Sequence, residues 1–237
     1  MAHKQRTDAG LRELALFAGA GGGILGGKLL GWRTVCAVEF DPYAASVLVA
    51  RQNDGLLPPF PIWDDVRTFD GRPWRGIVDV VSGGFPCQGY SSAARGRNVA
   101  EDLWPEMRRV VADVAPRYVF AENVQRRAID GAAEDLEAMG YYVRCVSLDA
   151  SKVGAAHIRK RYWLVADADR NSEPRLPIDA EVGRIRGLSG LGRWKDNPKT
   201  LGIHDGVAAR MDRLKAIGNG QVPQCAAEAW RILSGGG

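Results

Sequence analysis

A chain of 237 residues, 46% apolar and 25% charged, has the size and composition of one substantial globular core with a small appendage, which excludes the fibrous and disordered classes. A formal charge of +4 and a pI near 9.0 permit a polyanionic partner without requiring one, because a solvated basic surface gives the same balance. Cys36, Cys87, Cys145 and Cys225 form no C-x-x-C pair and no stretch reaches the ~18 apolar residues of a bilayer span, which argues against a zinc site, a disulfide framework or a membrane protein and for a reducing, cytoplasmic setting.

From Leu14 to Asp149 short apolar runs alternate with helix-like stretches separated by Gly, Pro and Asp, the pattern of β-α units and a parallel sheet. The spacing predicts strands over Leu14 to Phe17, Arg33 to Glu39, Val78 to Ser82 and Tyr118 to Glu122. Helices are predicted over Gly22 to Leu30, Pro42 to Arg51, Leu103 to Val114 and Gly131 to Met139. After Tyr141 an antiparallel pair is expected, Tyr142 to Leu148 and Tyr162 to Val165, joined by a basic turn around Arg159 to Arg161. From Asp167 to about Thr200 Gly, Pro and Arg accumulate with no lasting apolar period, which reads as a small irregular insert. Regular structure returns near Val207, and Pro223 opens a last helix through Leu233.

The segment Phe17-Ala18-Gly19-Ala20-Gly21-Gly22-Gly23 lies between a predicted strand and a predicted helix, where backbone N–H groups and a positive helix end face a ligand. The same glycines are equally met by a turn that needs only positive φ. Glu39, roughly twenty residues on, stands where a carboxylate takes the hydroxyls of a ribose. Asp64-Asp65-Val66 falls where the following strand ends. Together these suit a nucleoside-bearing ligand and do not separate a dinucleotide from S-adenosylmethionine. Glu39 also suits a helix cap ahead of Pro42, and Asp65 an N-cap in a loop.

Gly83-Gly84-Phe85-Pro86-Cys87-Gln88-Gly89-Tyr90-Ser91 follows the apolar run Ile77 to Val81, so Cys87 stands at the carboxyl end of a strand, where α/β folds place their chemistry. Its thiolate suits a nucleophile, although a single cysteine is also a common small buried hydrophobe. Ala121-Glu122-Asn123-Val124 ends the next long strand and brings a carboxyl group to the same sheet edge. In His157-Ile158-Arg159-Lys160-Arg161 the two arginines share one face of an extended segment, because alternate residues do.

The order Phe-x-Gly-x-Gly-Gly, Pro-Cys-Gln, Glu-Asn-Val, Arg-x-Arg and Gly-Asn resembles the cytosine-C5 DNA methyltransferase family over nearly the whole chain, apart from the stretch after Asp167. The pairing of Pro-Cys-Gln with Glu-Asn-Val is its specific part. The resemblance implies an α/β fold with a mostly parallel, doubly wound, Rossmann-like sheet. It further implies S-adenosylmethionine as cofactor, double-stranded DNA as partner, no metal, no membrane and a monomer. Residues 1–166 are then a catalytic and cofactor-binding domain, 167–206 a reduced target-recognition region, and 207–237 a segment that returns to the catalytic domain.

By the same resemblance Cys87 attacks C6 of a flipped-out cytosine, Glu122 holds N3 protonated, and Arg159 and Arg161 stabilise the C2 oxygen and position Cys87. Phe17 is expected against the adenine with Gly19, Gly21 and Gly22 at the turn, Glu39 on the ribose beside Phe40, and Asp65 at the adenine amino group beside Val66. Pro86, Leu103 and Asn219 complete the cofactor contacts. DNA contacts are expected from Gln88, from Ser91, Arg95 and Arg97 in the loop after the nucleophile, and from Arg184, Arg186, Arg193 and Lys195 in the insert.

Ala15 stands where the family usually has Asp, Gly89 and Tyr90 where it has Pro and Phe, and His157 where it has Gln. None removes a charged participant, and His157 also suits a structural histidine. Three rival readings are a nucleotide-dependent oxidoreductase, which leaves Pro-Cys-Gln and Glu-Asn-Val unexplained, a non-catalytic DNA-binding relative, and a tRNA cytosine methyltransferase.

Overall fold

The computed structural model of the chain describes residues 10–86, 101–155, 158–169 and 220–235. In chain order these form β1 (Arg12–Leu16), α1 (Gly22–Leu29), β2 (Arg33–Val38), α2 (Pro42–Asn53), β3 (Ile62–Trp63), β4 (Val80–Gly84), α3 (Trp104–Val114), β5 (Tyr118–Asn123), α4 (Arg126–Ala138), β6 (Tyr142–Asp149), β7 (Lys160–Asp167) and α5 (Pro223–Ser234). Single 3-10 turns cover Arg72–Trp74 and Ala150–Val153.

The strands make one seven-stranded sheet in the order β3-β2-β1-β4-β5-β7-β6. Pairs from β3 through β5 are parallel, and β7 runs antiparallel to both β5 and β6. The strand order reverses between β1 and β4. Connections therefore leave toward opposite edges there, and a crevice opens beyond the carboxyl ends of those strands.

Both faces of the sheet are covered, so β5 is buried at every position and its first four residues read as a continuous apolar run, not an alternating one. Its Val119 and Ala121 join Met107, Val111, Ile129 and Leu136 of α3 and α4 in one core cluster. Its Phe120 stacks on Trp163 on the other face and meets Trp230 of α5 edge-on. The helix α5 packs beside α1 closely enough that a Cβ on Gly26 would lie 2.7 Å from that of Ala226. None of the helices among the described residues is long and apolar enough to cross a membrane.

Local chemistry fixes the helix ends. Asp41 accepts from the backbone N–H groups of Tyr43 and Ala44, with Pro42 in the first helical turn of α2. In α3 the buried Met107, Val110, Val111 and Val114 follow helical spacing, and the helix stops at a left-handed Ala115 ahead of Pro116.

Among the boundaries that differ from the sequence expectation, three bear on the site. Strand β4 runs two residues further, through Gly83 and Gly84, because those glycines pair with Ala121 and Glu122 of β5. Helix α4 starts five residues earlier, at Arg126, since Ile129 already belongs to its buried stripe with Ala132, Ala133 and Leu136. Arg161 sits inside β7 opposite Leu148, not in a turn; the connection from β6 begins with the 3-10 turn instead.

Candidate active site

The crevice between β1 and β4 is a cavity of about 570 Å³. Residues from the ends of β1, β2, β4 and β5 line it together with Gly220 and Gln221 ahead of α5. Of the residues expected at a cofactor, Phe17, Gly19, Glu39, Phe40, Asp65, Val66, Pro86 and Leu103 line this space, and Glu122 lines it too. Asn219 lies outside the described residues, as do Cys87, His157, Gln88, Ser91, Arg95, Arg97, Arg184, Arg186, Arg193 and Lys195.

At the β2 side, Glu39 accepts from the N–H of Gly19 at 2.6 Å and from that of Asp41 at 2.7 Å. The carboxylate thus ties the glycine turn to the start of α2 and stays half-buried on the cavity wall. Helix capping belongs to Asp41, which settles the alternative reading of Glu39. Asp65 forms an Asx turn with the N–H of Arg67 and an ion pair with its guanidinium at 2.9 Å. The Arg67 side chain holds the Asp65 carboxyl below the usual carboxylate range, so it presents an ionised acceptor. Arg67 also lies over the exposed ring of Phe40, 5.4 Å from its centroid.

Gly21 and Gly22 do not line the cavity. A Cβ on Gly21 would meet Leu48 Cδ2 at 2.8 Å, and one on Gly22 would overlap the backbone oxygen of Gln221. Helix packing and the close passage of the 220–222 segment account for these glycines. Gly19 and Gly23 face the ligand space instead.

At the β5 side the Glu122 side chain is only 7% exposed. Arg161 Nε lies 3.0 Å from Oε1, but its N–H is not aimed at that oxygen, which has no hydrogen-bond partner among the described residues. Gln221 Nε2 donates to Oε2 at 3.4 Å. Burial raises the Glu122 pKa above the ordinary range, and the opposing pull of Arg161, Gln221 and Arg159 does not cancel it. A buried carboxyl biased toward its neutral form on the wall of a cavity can present a proton to a ligand. Arg159 donates to the backbone oxygen of Gly220 at 2.6 Å and so braces the segment that carries Gln221.

Asn123 donates to the Phe85 oxygen at 2.8 Å and accepts from the N–H of Gln125, which fixes the end of β4 against the end of β5. Pro86 accepts from the N–H of Leu103, and both line the cavity, which brings these two residues together at its rim. Burial pushes the Cys36 thiol up to about 11 and the Cys225 thiol up to about 12, which makes both poor nucleophiles. Among the described residues no cluster of three His, Cys, Asp or Glu side chains is arranged to hold a metal ion.

Sequence reasoning missed Gln221, Arg67 and the role of Gly83 and Gly84. The double glycine ending a predicted strand was a readable signal: a Cβ on Gly83 would lie 2.9 Å from the Leu16 oxygen and one on Gly84 2.8 Å from Glu122 Oε2. Nothing in the sequence ties Gln221 to Glu122, 99 residues away.

Residues 11–183 match the family model for C-5 cytosine-specific DNA methylase. The chain is 33% identical over 176 residues to the type II methyltransferase M1.HphI of Haemophilus parahaemolyticus, a match that covers 67% of this chain and 46% of that protein. It is 32% identical over 164 residues to M.NgoMIV of Neisseria gonorrhoeae, covering 65% and 51%. The chain thus spans about half the length of these curated relatives. Among solved structures, a mutant of Spodoptera frugiperda DNMT2 superposes with a TM-score of 0.56 at 20% identity, over 69% of this chain and 52% of that one, a likeness of fold.

Proposed function

Since the chain belongs to the C-5 cytosine-specific DNA methylase family, we propose that it transfers a methyl group from S-adenosylmethionine to C5 of a cytosine in double-stranded DNA. The observation that carries this reading is one continuous cavity with Glu39 and Asp65 at one end and the buried Glu122 at the other, reached from Pro86, the residue before Cys87.

The residues of the cavity fit the cofactor. Its volume is that of a site for a nucleoside-sized ligand. Glu39 offers oxygens to ribose hydroxyls, the ionised Asp65 offers an acceptor to an amino group, and Phe17, Phe40, Val66 and Leu103 offer apolar walls to an adenine. When bound, S-adenosylmethionine supplies an electrophilic sulfonium methyl group. Pro86 and Leu103 add apolar surface to the lining near Glu122.

In this mechanism the target nucleotide leaves the duplex, at a cost of a few kcal/mol for unstacking and unpairing. The Cys87 thiolate adds to C6 and pushes electrons toward N3, where the proton of Glu122 is taken up as the charge develops. Arg161 and Arg159 keep positive charge beside the ring, and the C2 oxygen is their target. C5, now a carbon nucleophile, takes the methyl group. Loss of the C5 proton to water then expels the Cys87 thiolate, the N3 proton returns to Glu122, and the aromatic ring is restored. Gln88, Ser91, Arg95, Arg97 and the insert arginines carry the DNA contacts in this reading.

The test is incubation of the purified chain with random duplex DNA and S-adenosylmethionine, with tRNA in parallel, followed by base-resolution mapping of 5-methylcytosine. Methylation of duplex cytosines at a defined site, abolished by Cys87→Ser with cofactor affinity kept, is the expected result. Modification of tRNA alone, or full turnover by Cys87→Ser, overturns the reading.

A further inference from the structure

Gln221 threads a space that three glycines leave open. Its backbone oxygen occupies the position a Cβ on Gly22 would take, its Oε1 would overlap one on Gly23, and its Nε2 lies 3.0 Å from where one on Gly84 would be. The amide is thereby held with its donor toward Glu122 Oε2 and its acceptor toward the start of α1. Arg159 grips the preceding residue through the Gly220 oxygen. No side chain larger than hydrogen at any of the three glycines leaves this path clear.

We propose that Gln221 is a positioning residue for Glu122: by donating to Oε2 it fixes the carboxyl rotamer and leaves the proton of the neutral acid on Oε1, the oxygen without a hydrogen-bond partner among the described residues. In a neutral carboxyl the carbonyl oxygen is the stronger acceptor and the hydroxyl oxygen the donor, so an amide N–H favours the carbonyl-like oxygen of the acid. The inference rests on the proposed methyl transfer for its meaning, while the contact itself can be read without turnover.

The charged and titratable groups that face Glu122 among the described residues are Arg161 and Arg159 from the β7 side and Cys225 from α5. Burial keeps the Cys225 thiol neutral, so an alkaline fall in the transfer rate reports Glu122. Transfer requires the protonated acid and is lost as pH rises through its pKa. The Gln221 donor favours the ionised form and holds that pKa down. Its removal moves the alkaline fall to higher pH while disordering the acid.

Two near-isosteric variants keep the glycine cradle filled. Gln221→Met removes the donor, and Gln221→Glu replaces it with a carboxyl group. Single-turnover rates across pH are expected to show a plateau lower by about tenfold for Gln221→Met, an alkaline fall displaced upward, and unchanged affinity for S-adenosylmethionine. Gln221→Glu is expected to displace the fall further, because a second carboxylate disfavours ionisation of the first. A merely structural role lowers activity without moving the limb, and that result in both variants overturns the proposal. Carbon-13 titration of the Glu122 carboxyl in the wild type and in Gln221→Met decides the contact separately: an upward pKa shift supports it and an unchanged pKa overturns it. If the wild type methylates nothing, the functional reading fails and this titration still decides the contact. If Gln221→Met does not fold, the Gln221→Glu titration takes its place.

Discussion

On the β2 side of the cleft the carboxylates are half-buried and hydrogen-bonded, Glu39 by two backbone N–H groups and Asp65 by Arg67, whereas on the β5 side Glu122 is buried between Arg161 and Gln221, with Oε1 lacking a hydrogen bond among the described residues. The first side is local, its partners lying two to 20 residues away in sequence. The second is assembled from β4, β5, β7 and the segment before α5, across as many as 99 residues. Answered acceptors hold a ligand at little cost in stability. A desolvated carboxyl with a raised pKa on a cavity wall marks a candidate for proton transfer.

The substitution that breaks this contrast most sharply is Glu122→Gln, which keeps the shape and removes the acid. Methyl transfer is expected to slow by about 100- to 10,000-fold, with S-adenosylmethionine binding intact by calorimetry. A rate equal to the wild type's would take Glu122 out of the acid role and make the two sides equivalent.

Gly22→Ala tests whether the glycine turn serves the cofactor or the β5 side. The new methyl group meets the Gln221 backbone oxygen, which cannot swing aside as a side-chain tip does. Displacing that segment is expected to cost about 1–3 kcal/mol in urea unfolding and to lower the transfer rate more than the cofactor affinity. Loss of cofactor affinity with the transfer rate intact would return Gly22 to the binding role expected from sequence.

The same contrast explains what was legible in the sequence. Strand-turn-helix signals and the spacing from Gly19 to Glu39 are local, so the β1-α1-β2 side could be read in order, down to the residues on the cavity wall. Glu122 and the two arginines were readable as motif residues, because charge in an otherwise apolar strand end has no packing reason. That Arg161 lies inside β7 depended on a register against Leu148 that no local pattern sets. Gln221 is an ordinary polar residue until the sheet closes, and the glycines it threads looked like turn formers. Cys87 and the expected DNA contacts lie outside the described residues.

A smaller effect is expected from Glu39→Gln. The amide turns one acceptor into a donor facing a backbone N–H, and a neutral acceptor holds a hydroxyl less strongly than a charged one. The dissociation constant for S-adenosylmethionine should rise by about tenfold, while the transfer rate at saturating cofactor stays at the wild-type value. A fall in that saturated rate, measured in single turnover, would show that the two sides are not separable.

The smallest effect lies at the residue that joins the two sides beneath the cavity. Glu13 of β1 is 1% exposed and accepts at 2.6 Å from Thr34 of β2 and at 2.6 Å from Ser82 of β4. Burial raises its carboxyl pKa, and the two hydroxyl donors pull it down only in part. A carboxyl whose pKa is higher folded than unfolded contributes stability below its ordinary pKa and loses it as pH climbs through the raised value. Glu13→Gln carries no such slope. Its melting temperature relative to the wild type is therefore expected to improve as pH rises above the ordinary carboxylate range, with little change in methyl transfer at the lower end. A difference in melting temperature that does not vary with pH would mean that Glu13 keeps the same protonation in both states, and that the seam between the cofactor side and the chemical side is electrically silent.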